Sequence, residues 1–451
     1  IATQLPPNTT LTLNWRALAF TGGVTLLSAL LVGLVPAVQA SKARLVDVLK
    51  DSARGSSGER GGRFRATLIV GEVALSVVLL VGSSLLLMSF LKLQRTPPGF
   101  EPEGAAAAFV GVPLTRYQTN AQQAEFFTQV IERLRANPAV TNAAASIGLP
   151  LAGNARAPYS VGGRDILPLP QRPLAGFEIV SEDYFRLMKI PLAEGRPFRA
   201  DDREGAPNVC IVNETFARHV FPGESALGKT LMRGRDADIK GEIVGVIRDV
   251  KTNGLNAPVP DEVYYPMRQL GRPGMNVVAR TAGEPAALQA VIRAAVSAVD
   301  KDQPISFFAT LETNVATSLG TQRIVASLTT IFAGLAFVMS VVGLYSVLAY
   351  AVSQRTAEIG IRMALGAQSA QVVRLIMRSG LQLVAIGLVL GLAAAAGAAR
   401  VIQTLLFDVR PLEPLVYAAV AVTFAFVATL ACLLPSLRAS RIDPLVALRA
   451  D

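Results

Sequence analysis

Five long apolar runs constrain this chain more than any other feature of its sequence. They cover roughly residues 17–38, 67–91, 325–351, 377–405 and 415–437. Each run is long enough for a helix that crosses about 30 Å of hydrocarbon, which takes about 20 residues. A long segment of ordinary mixed composition separates the second run from the third. The pattern predicts a multi-pass α-helical membrane protein with five spans and a large inserted domain.

The distribution of charge gives the orientation of these spans. Only 17% of the 451 residues are charged, against about 25% in an average soluble domain. The net charge is +10, and most of the excess lies beside apolar runs, in residues 39–65, 353–378 and 438–451. Basic flanks of this kind mark the cytoplasmic side, and they place 92–324 outside. Because no basic stripe with interleaved aromatic residues appears, we exclude nucleic acid as a partner.

The inserted segment, residues 92–324, has the pattern of an α+β domain in one or two lobes. "AEFFTQVIERLRANP" and "EPAALQAVIRAAVSAV" have the spacing of amphipathic helices. "VCIVNETFARHVF" has the pattern of a strand followed by a short helix with Asn213 as its N-cap. "GEIVGVIRDV" has the pattern of another strand. We therefore expect a large α+β extracytoplasmic domain.

Few residues here could carry chemistry. Cys210 lies in the insert and Cys432 inside an apolar run, so a disulfide between them is not expected. His219 has no clustered cysteine or acid, and we predict no metal site and no catalytic residue. Glu72 lies inside the second run, where two interpretations stay open: an interfacial carboxylate that reaches water or an arginine, or a functional intramembrane acid.

The stretch "FPGESALGKTL" contains a match to the P-loop pattern from Gly223 to Thr230. A P-loop follows a buried strand and opens a helix, so that backbone N–H groups converge on phosphate. Here a short helical pattern ended by Pro222 precedes the match, and turn residues and a strand follow it. The predicted topology also places it outside the cell. We interpret the match as a false positive, so the chain is predicted to bind no cofactor and to be no enzyme.

An internal repeat explains the order of the segments. "PAVQASKARLVDVLKD" from Pro36 and "PSLRASRIDPLVALRA" from Pro435 align without gaps, and each follows an apolar span directly. The first span is then the last helix of an earlier unit, and the rest of the chain is one complete unit. Since Ile1 is not followed by the basic-then-apolar pattern of a signal peptide, the chain is expected to start within a longer protein.

With this layout, "SQRTAEIGIRMALGAQSAQVVRLIMRSG" resembles the cytoplasmic loop of FtsX/MacB-type ABC transporter permeases. "YFRLMKIPLAEGRPF" and "EIVGVIRDV" resemble the periplasmic core domain of the same family. The resemblance implies a bacterial inner-membrane protein with the following domains. They are a last helix of a truncated unit (1–38), a cytoplasmic linker (39–65), a span (66–91), a periplasmic core (92–324), a three-helix permease domain (325–437) and a cytoplasmic tail (438–451).

The resemblance assigns a mechanical role to the cytoplasmic loop, residues 353–376. In the family it is the coupling helix that docks on the ATPase, which implies that Mg-ATP is bound by a partner and not by this chain. Its apolar stripe and the i, i+4 pair of Glu358 and Arg362 are also compatible with a basic helix that binds lipid headgroups. The coupling residues implied by the resemblance are Arg355, Glu358, Ile359, Gly360, Arg362, Leu365 and Gly366.

The fourth run carries small residues at four-residue spacing, Gly387, Gly391, Ala395 and Ala399. Small residues at this spacing let helices approach closely in lipid, so we expect helix packing here.

Two functions are compatible with these features. One is a permease subunit that transmits the motion of a cytoplasmic ABC ATPase dimer to the periplasmic domain, to export a hydrophobic or peptide-like substrate. The other is a non-transporting sensor or scaffold that relays the ATPase state to a cell-envelope partner. The expected partners are the ATPase, the other permease half or a second copy, a periplasmic protein and membrane lipid.

Overall fold

A computed structural model describes residues 15–16, 18–26, 30, 58–234, 239–354 and 368–439, with backbone only at 58–65 and at a few helix ends. The chain divides into two compact units. The sheet unit contains residues 93–321, and the helical unit contains the described residues before 93 and after 321.

The helices of the helical unit are long, and those of the sheet unit are shorter. The helices are α1 (Gly58–Gln94), α2 (Asn120–Arg135), α3 (Tyr184–Met188), α4 (Glu214–Val220), α5 (Leu288–Val299), α6 (Leu311–Ser318), α7 (Gly320–Gln354), α8 (Ser369–Val401) and α9 (Pro414–Ala439). The predicted helices of the insert correspond to α2 and α5, and Asn213 caps α4 as predicted, since its side chain accepts a bond from the Phe216 amide at 3.0 Å.

Four helices of the described chain are long and apolar enough to cross a membrane: Ala66–Gln94, Gly320–Tyr350, Ser369–Val401 and Pro414–Leu437. They correspond to four of the five predicted spans. Of the remaining predicted span, 17–38, residues 18–26 and 30 have helical backbone, and the others lie outside the described residues. The fold is therefore a multi-pass helical membrane protein with an α+β domain, and four spans are described.

The strands of the sheet unit are β1 (Ala105–Gly111), β2 (Asn142–Ser146), β3 (Arg156–Val161), β4 (Leu174–Val180), β5 (Leu192–Gly195), β6 (Val209–Asn213), β7 (Thr230–Arg233), β8 (Ile239–Ile247), β9 (Glu262–Pro266), β10 (Gly274–Arg280) and β11 (Ile305–Thr310). Their pairing defines two lobes. In the open lobe, the order is β11-β1-β10-β2, all antiparallel. In the barrel lobe, β3, β4, β9, β6, β8 and β7 pair in a closed ring.

Apolar side chains from α2 and α5 cover one face of the open lobe. Phe126, Phe127 and Leu134 of α2 are fully buried there, together with Ile292 and Val296 of α5. A capping box starts α2: the Thr119 hydroxyl accepts from the Gln122 amide, and the Gln122 side chain accepts from the Thr119 amide. The amphipathic spacing that predicted these helices is thus the spacing that fills this core.

The barrel lobe contains an arginine in its interior. Arg233 is only 5% exposed, and its guanidinium lies 4.2 Å from the ring centroid of Phe177 and 4.6 Å from that of Tyr265. Stacking between two aromatic faces stabilises a cation that has left water. Cys210 is fully buried in the same core and is a free thiol, as is Cys432.

Candidate coupling site in the helical unit

The predicted coupling segment lies between two of the spanning helices. The described part of α7 ends at Gln354, and α8 begins at Ser369. The segment therefore connects α7 to α8 along the chain. The predicted coupling residues themselves, Arg355, Glu358, Ile359, Gly360, Arg362, Leu365 and Gly366, lie outside the described residues.

The glycines of α8 face α1. A Cβ atom on Gly387 would lie 2.7 Å from Val73 Cβ and 3.1 Å from the Val70 carbonyl oxygen. One turn further along, a Cβ atom on Gly391 would lie 2.8 Å from Val77 Cβ and 2.9 Å from the carbonyl oxygen of Ala74. These distances leave no room for a side chain, so α1 and α8 approach each other backbone to backbone.

The same face of α8 is buried along the rest of its length. Ala395 and Ala399 are each 2% exposed. Nearer the coupling segment, a Cβ atom on Gly380 would meet Leu348 of α7 and the Cys432 sulfur of α9 at about 3 Å. Small residues therefore place α8 in contact with α1, α7 and α9.

Hydroxyl groups join α1 to α7. The Ser76 and Ser340 Oγ atoms lie 2.7 Å apart. The Ser76 hydroxyl also lies 3.0 Å from the Ala336 carbonyl oxygen, and the Ser340 hydroxyl lies 3.2 Å from the Glu72 carbonyl oxygen. Because each hydroxyl has one proton, one serine donates to the other and the second donates to its carbonyl oxygen. Hydrogen bonds between transmembrane helices contribute about 0.6 kcal/mol on average. Apolar periodicity gave no indication of these bonds; the available signal was the i, i+4 spacing of Glu72 and Ser76.

The Glu72 carboxylate lies beside the same contact. Its Oε2 atom would be 2.6 Å from a Cβ atom on Gly343 of α7, so this glycine makes room for the acid. Neither of the two sequence-based interpretations of Glu72 included a contact with α7. The structure places the side chain half-buried between two spans.

The other end of α1 contacts the turn between α8 and α9. The Ser89 hydroxyl accepts from the Phe407 amide at 2.8 Å. The Lys92 ammonium donates to the carbonyl oxygen of Asp408 at 2.5 Å and lies 3.3 Å from its carboxylate. Both charged side chains are well exposed, so the ion pair contributes little by itself. Together these contacts make α1 the helix that touches α7, α8 and the turn.

The P-loop-like match has an ordinary loop geometry. Gly223 and Gly228 adopt positive φ values of 80° and 73°. The Lys229 ammonium is paired with the Glu224 carboxylate at 3.0 Å. Helix α4 precedes the match and strand β7 begins at Thr230. This is the reverse of the strand–loop–helix order that presents backbone N–H groups to phosphate.

Lys229→Ala is accordingly expected to leave nucleotide binding by the purified chain unchanged at background level, because this lysine pairs with Glu224 on an exposed surface. Fluorescent ATP analogue binding by wild type and variant measures this. Tight binding by wild type that the substitution abolishes would show that the loop is a nucleotide site.

Within the described ranges, no group of three or more His, Cys, Asp or Glu side chains is arranged to hold a metal ion.

Comparison with protein-family models identifies both parts of the chain. A model described as MacB-like periplasmic core domain matches residues 66–295, more than half of the chain, and one described as FtsX-like permease C-terminal matches residues 330–444. The chain belongs to the FtsX/MacB-type ABC permease family. It is a multi-pass inner-membrane protein, and its core domain is periplasmic.

Individual relatives of this permease are distant. A probable export ATP-binding/permease protein MacB of Pseudomonas entomophila is 27% identical over 285 residues, covering 60% of this chain and 42% of that protein. The uncharacterized ABC transporter permease YvrN of Bacillus subtilis is 25% identical, covering 60% and 69%. The crystal structure of the periplasmic region of MacB from Actinobacillus actinomycetemcomitans is similar with 14% identity and a TM-score of 0.32, over 49% of this chain and 95% of that one.

The permease thus spans about two fifths of the length of the MacB proteins that it matches. The names of those relatives include an ATP-binding part. The family models that match this chain describe a periplasmic core domain and a permease domain.

Proposed function

We propose that this chain is the permease subunit of an ABC-type transporter and that it transmits the motion of a separate ATPase to its periplasmic domain. The observation that carries the proposal is the position of α1. The chain enters the sheet unit through α1 and leaves it into α7. Helix α1 contacts α7 through Ser76 and Ser340, and contacts α8 through Gly387 and Gly391.

The coupling segment joins α7 to α8, so any displacement of it reaches α1 through two separate contacts. One of these is hydrogen-bonded and the other is close-packed. Tightly packed helices transmit displacements because their interfaces deform little. A push at the coupling segment would therefore change the position of both helices to which the periplasmic domain is attached along the chain.

The proposed cargo is a hydrophobic or peptide-like molecule that is exported. Relatives named for macrolide export and for syringafactin export support this class. ATP and its Mg²⁺ are proposed to bind the partner ATPase dimer and not this chain. The other permease half or a second copy would complete the membrane part.

Charge reversal in the coupling segment tests the proposal. Glu358→Lys and Arg362→Glu, each made in the full-length protein, are expected to reduce co-purification of the ATPase by about tenfold, because each reverses a charge in the proposed docking segment. Quantitative mass spectrometry of the affinity-purified complex measures the ATPase recovered.

Arg410→Glu is the matched control, because Arg410 is exposed in the turn between α8 and α9, which is predicted to lie on the opposite side of the membrane. It should leave the ATPase yield at the wild-type level. Wild-type recovery of the ATPase with both Glu358→Lys and Arg362→Glu would disprove the assignment of this segment as the docking site.

A further inference from the structure

Two glutamates are buried side by side in the sheet unit. Glu178 on β4 is 2% exposed and Glu262 on β9 is 1% exposed. The two strands are parallel, with Gly176 opposite Glu262 and Glu178 opposite Tyr264. Since side chains two positions apart share a face of a strand, both carboxyl groups lie on the same face, two positions apart in register.

The hinge loop, residues 147–155, supplies hydrogen bonds to both acids. The Gly148 amide donates to Glu178 Oε1 at 2.6 Å, and the Asn154 amide group donates to Glu262 Oε2 at 3.0 Å. From a second loop, the Thr252 hydroxyl donates to Glu262 Oε1 at 3.1 Å. No lysine or arginine forms an ion pair with either acid among the described residues, so their hydrogen-bond donors are neutral.

The hinge loop is one of the two places where the chain passes between the lobes; the other is residues 267–273, between β9 and β10. The hinge loop leads from β2 of the open lobe to β3 of the barrel lobe. Within the described sheet, β2 and β4 share one ladder pair, Ser146 opposite Val180. Backbone bonds from Ile147 to Ile179 at 3.0 Å and from Ser181 to Ala145 at 2.9 Å flank this pair, so a change in the loop acts on the strand pairing between the lobes.

Contacts to the second loop hold the hinge loop closed. The Leu151 amide donates to the Lys251 carbonyl at 3.2 Å, and the Gly153 amide donates to the Thr252 carbonyl at 2.8 Å. Leu151 has a φ of 69°, a left-handed conformation that its side chain disfavours. The closed loop is thus strained at one residue.

Other charged and titratable groups lie around the pair and affect its protonation. Tyr184 of α3 and Tyr264 of β9 are fully buried, and burial raises the pKa of each phenol further above its ordinary value, so both stay neutral. Arg156 of β3 favours the charged form of Glu262, and Asp261 opposes it. The Asp249 charge also raises the pKa of Tyr264, and the Asp249 carboxylate accepts hydrogen bonds from Asn213 and Thr215.

We propose that the Glu178–Glu262 pair is a proton-operated lock on the hinge loop, which donates hydrogen bonds to both acids. With a proton on the pair, the closed loop buries at most one charge. When both carboxyl groups ionise, two like charges share a site without water, and opening of the loop hydrates them. Proton loss therefore favours the open hinge.

The pKa values of the two groups place this change near neutral pH. Burial raises the pKa of Glu178 to about 8, and the neighbouring Glu262 carboxylate raises it too. Burial raises the pKa of Glu262 to about 7. In the open loop, hydration would bring the pKa of both groups down toward the ordinary value of a glutamate. The closed state thus binds protons more tightly, and the opening equilibrium increases by up to about tenfold per pH unit and per group as the pH rises between the open-state and closed-state pKa values.

Hydrogen exchange of the full chain in lipid nanodiscs tests the lock. At pH 5.5 and pH 7.5, with labelling times scaled for intrinsic exchange, the amides of Leu151 and Gly153 report the closed loop. We expect their opening equilibrium to increase at least about tenfold at the higher pH, while amides of α2 keep their protection. Equal protection of the hinge loop at both pH values would overturn the proposal.

Variants separate the pair from other acids. Glu178→Gln and Glu262→Gln, made singly, should each reduce the pH dependence of hinge-loop exchange, since each removes one titrating group at nearly constant shape. Glu224→Gln, on an exposed ion pair with Lys229, is the control and should keep the wild-type dependence. If either variant does not fold, the other decides; an unchanged dependence in a folded variant of the pair counts against the lock.

Discussion

Full-length protein with Gly391→Leu is expected to reach only a small fraction of the wild-type level in the membrane. The leucine would collide with Val77 and with the backbone of Ala74 on α1, and backbone atoms cannot rotate away. Overpacking of a tight interface costs about 1–3 kcal/mol and sometimes more, and here it separates two spanning helices. Gly387→Leu should act in the same way through Val73 and Val70. Membrane-fraction immunoblots and size-exclusion profiles measure both variants.

Gly397→Leu provides the matched control on the same helix. A Cβ atom on Gly397 meets no other atom within 4 Å, so this leucine is expected to leave the protein level and the elution profile unchanged. If Gly391→Leu and Gly387→Leu behave like Gly397→Leu, the close approach of α8 to α1 is not required for folding.

The free energy of unfolding of the sheet unit is expected to be several kcal/mol lower at pH 8 than at pH 5. The folded unit holds protons on Glu178 and Glu262 with pKa values of about 8 and about 7, whereas the unfolded chain releases them near 4.5. A raised pKa in the folded state gives stability that is complete below the unfolded value and is lost as the pH rises through the folded value. Each unit of pKa difference corresponds to about 1.4 kcal/mol.

Urea unfolding of the full chain measures this difference through Cys210, which is fully buried in the sheet unit. After equilibration at each pH, a brief maleimide pulse at one fixed pH labels the exposed thiol, and mass spectrometry separates it from Cys432. Glu178→Gln should raise the urea midpoint at pH 8 and change it little at pH 5. A wild-type midpoint that is the same at both pH values would contradict the predicted linkage.

The titration of Asp300 does not contribute to the change in stability between pH 5 and pH 8. The hydrogen bond from Arg116 is the main reason that the pKa of its carboxyl falls to about 2. A depressed pKa gives stability above the unfolded value that is lost only as the pH falls through the folded value. Its effect therefore lies below the range from pH 5 to 8.

Much of the architecture could be predicted from the sequence, because membrane insertion and amphipathic helices depend on local composition. Runs of about 20 apolar residues have few alternatives to a spanning helix, and four of the predicted spans match described helices. The Asn213 cap was predictable because the cap and the amide that it accepts are three residues apart. The P-loop match illustrates the limit of a local pattern, since its spacing is right and its structural context is not.

Contacts between distant segments could not be predicted in this way. Glu178 and Glu262 are 84 residues apart, and nothing in the sequence near either one indicates burial beside another acid. The bond between Ser76 and Ser340 spans 264 residues. The two lobes likewise depend on the pairing of β4 with β9, which closes the barrel.

The amino-acid sequence by itself determined that this chain spans a membrane and on which side its large domain lies. These properties follow from hydrophobicity and charge, which act over one helix length. Only the tertiary structure decided which glycines of α8 contact α1, that Ser76 meets Ser340, and that two acids share one buried face. These depend on packing and strand register, in which the environment of each residue is supplied by segments far away along the chain.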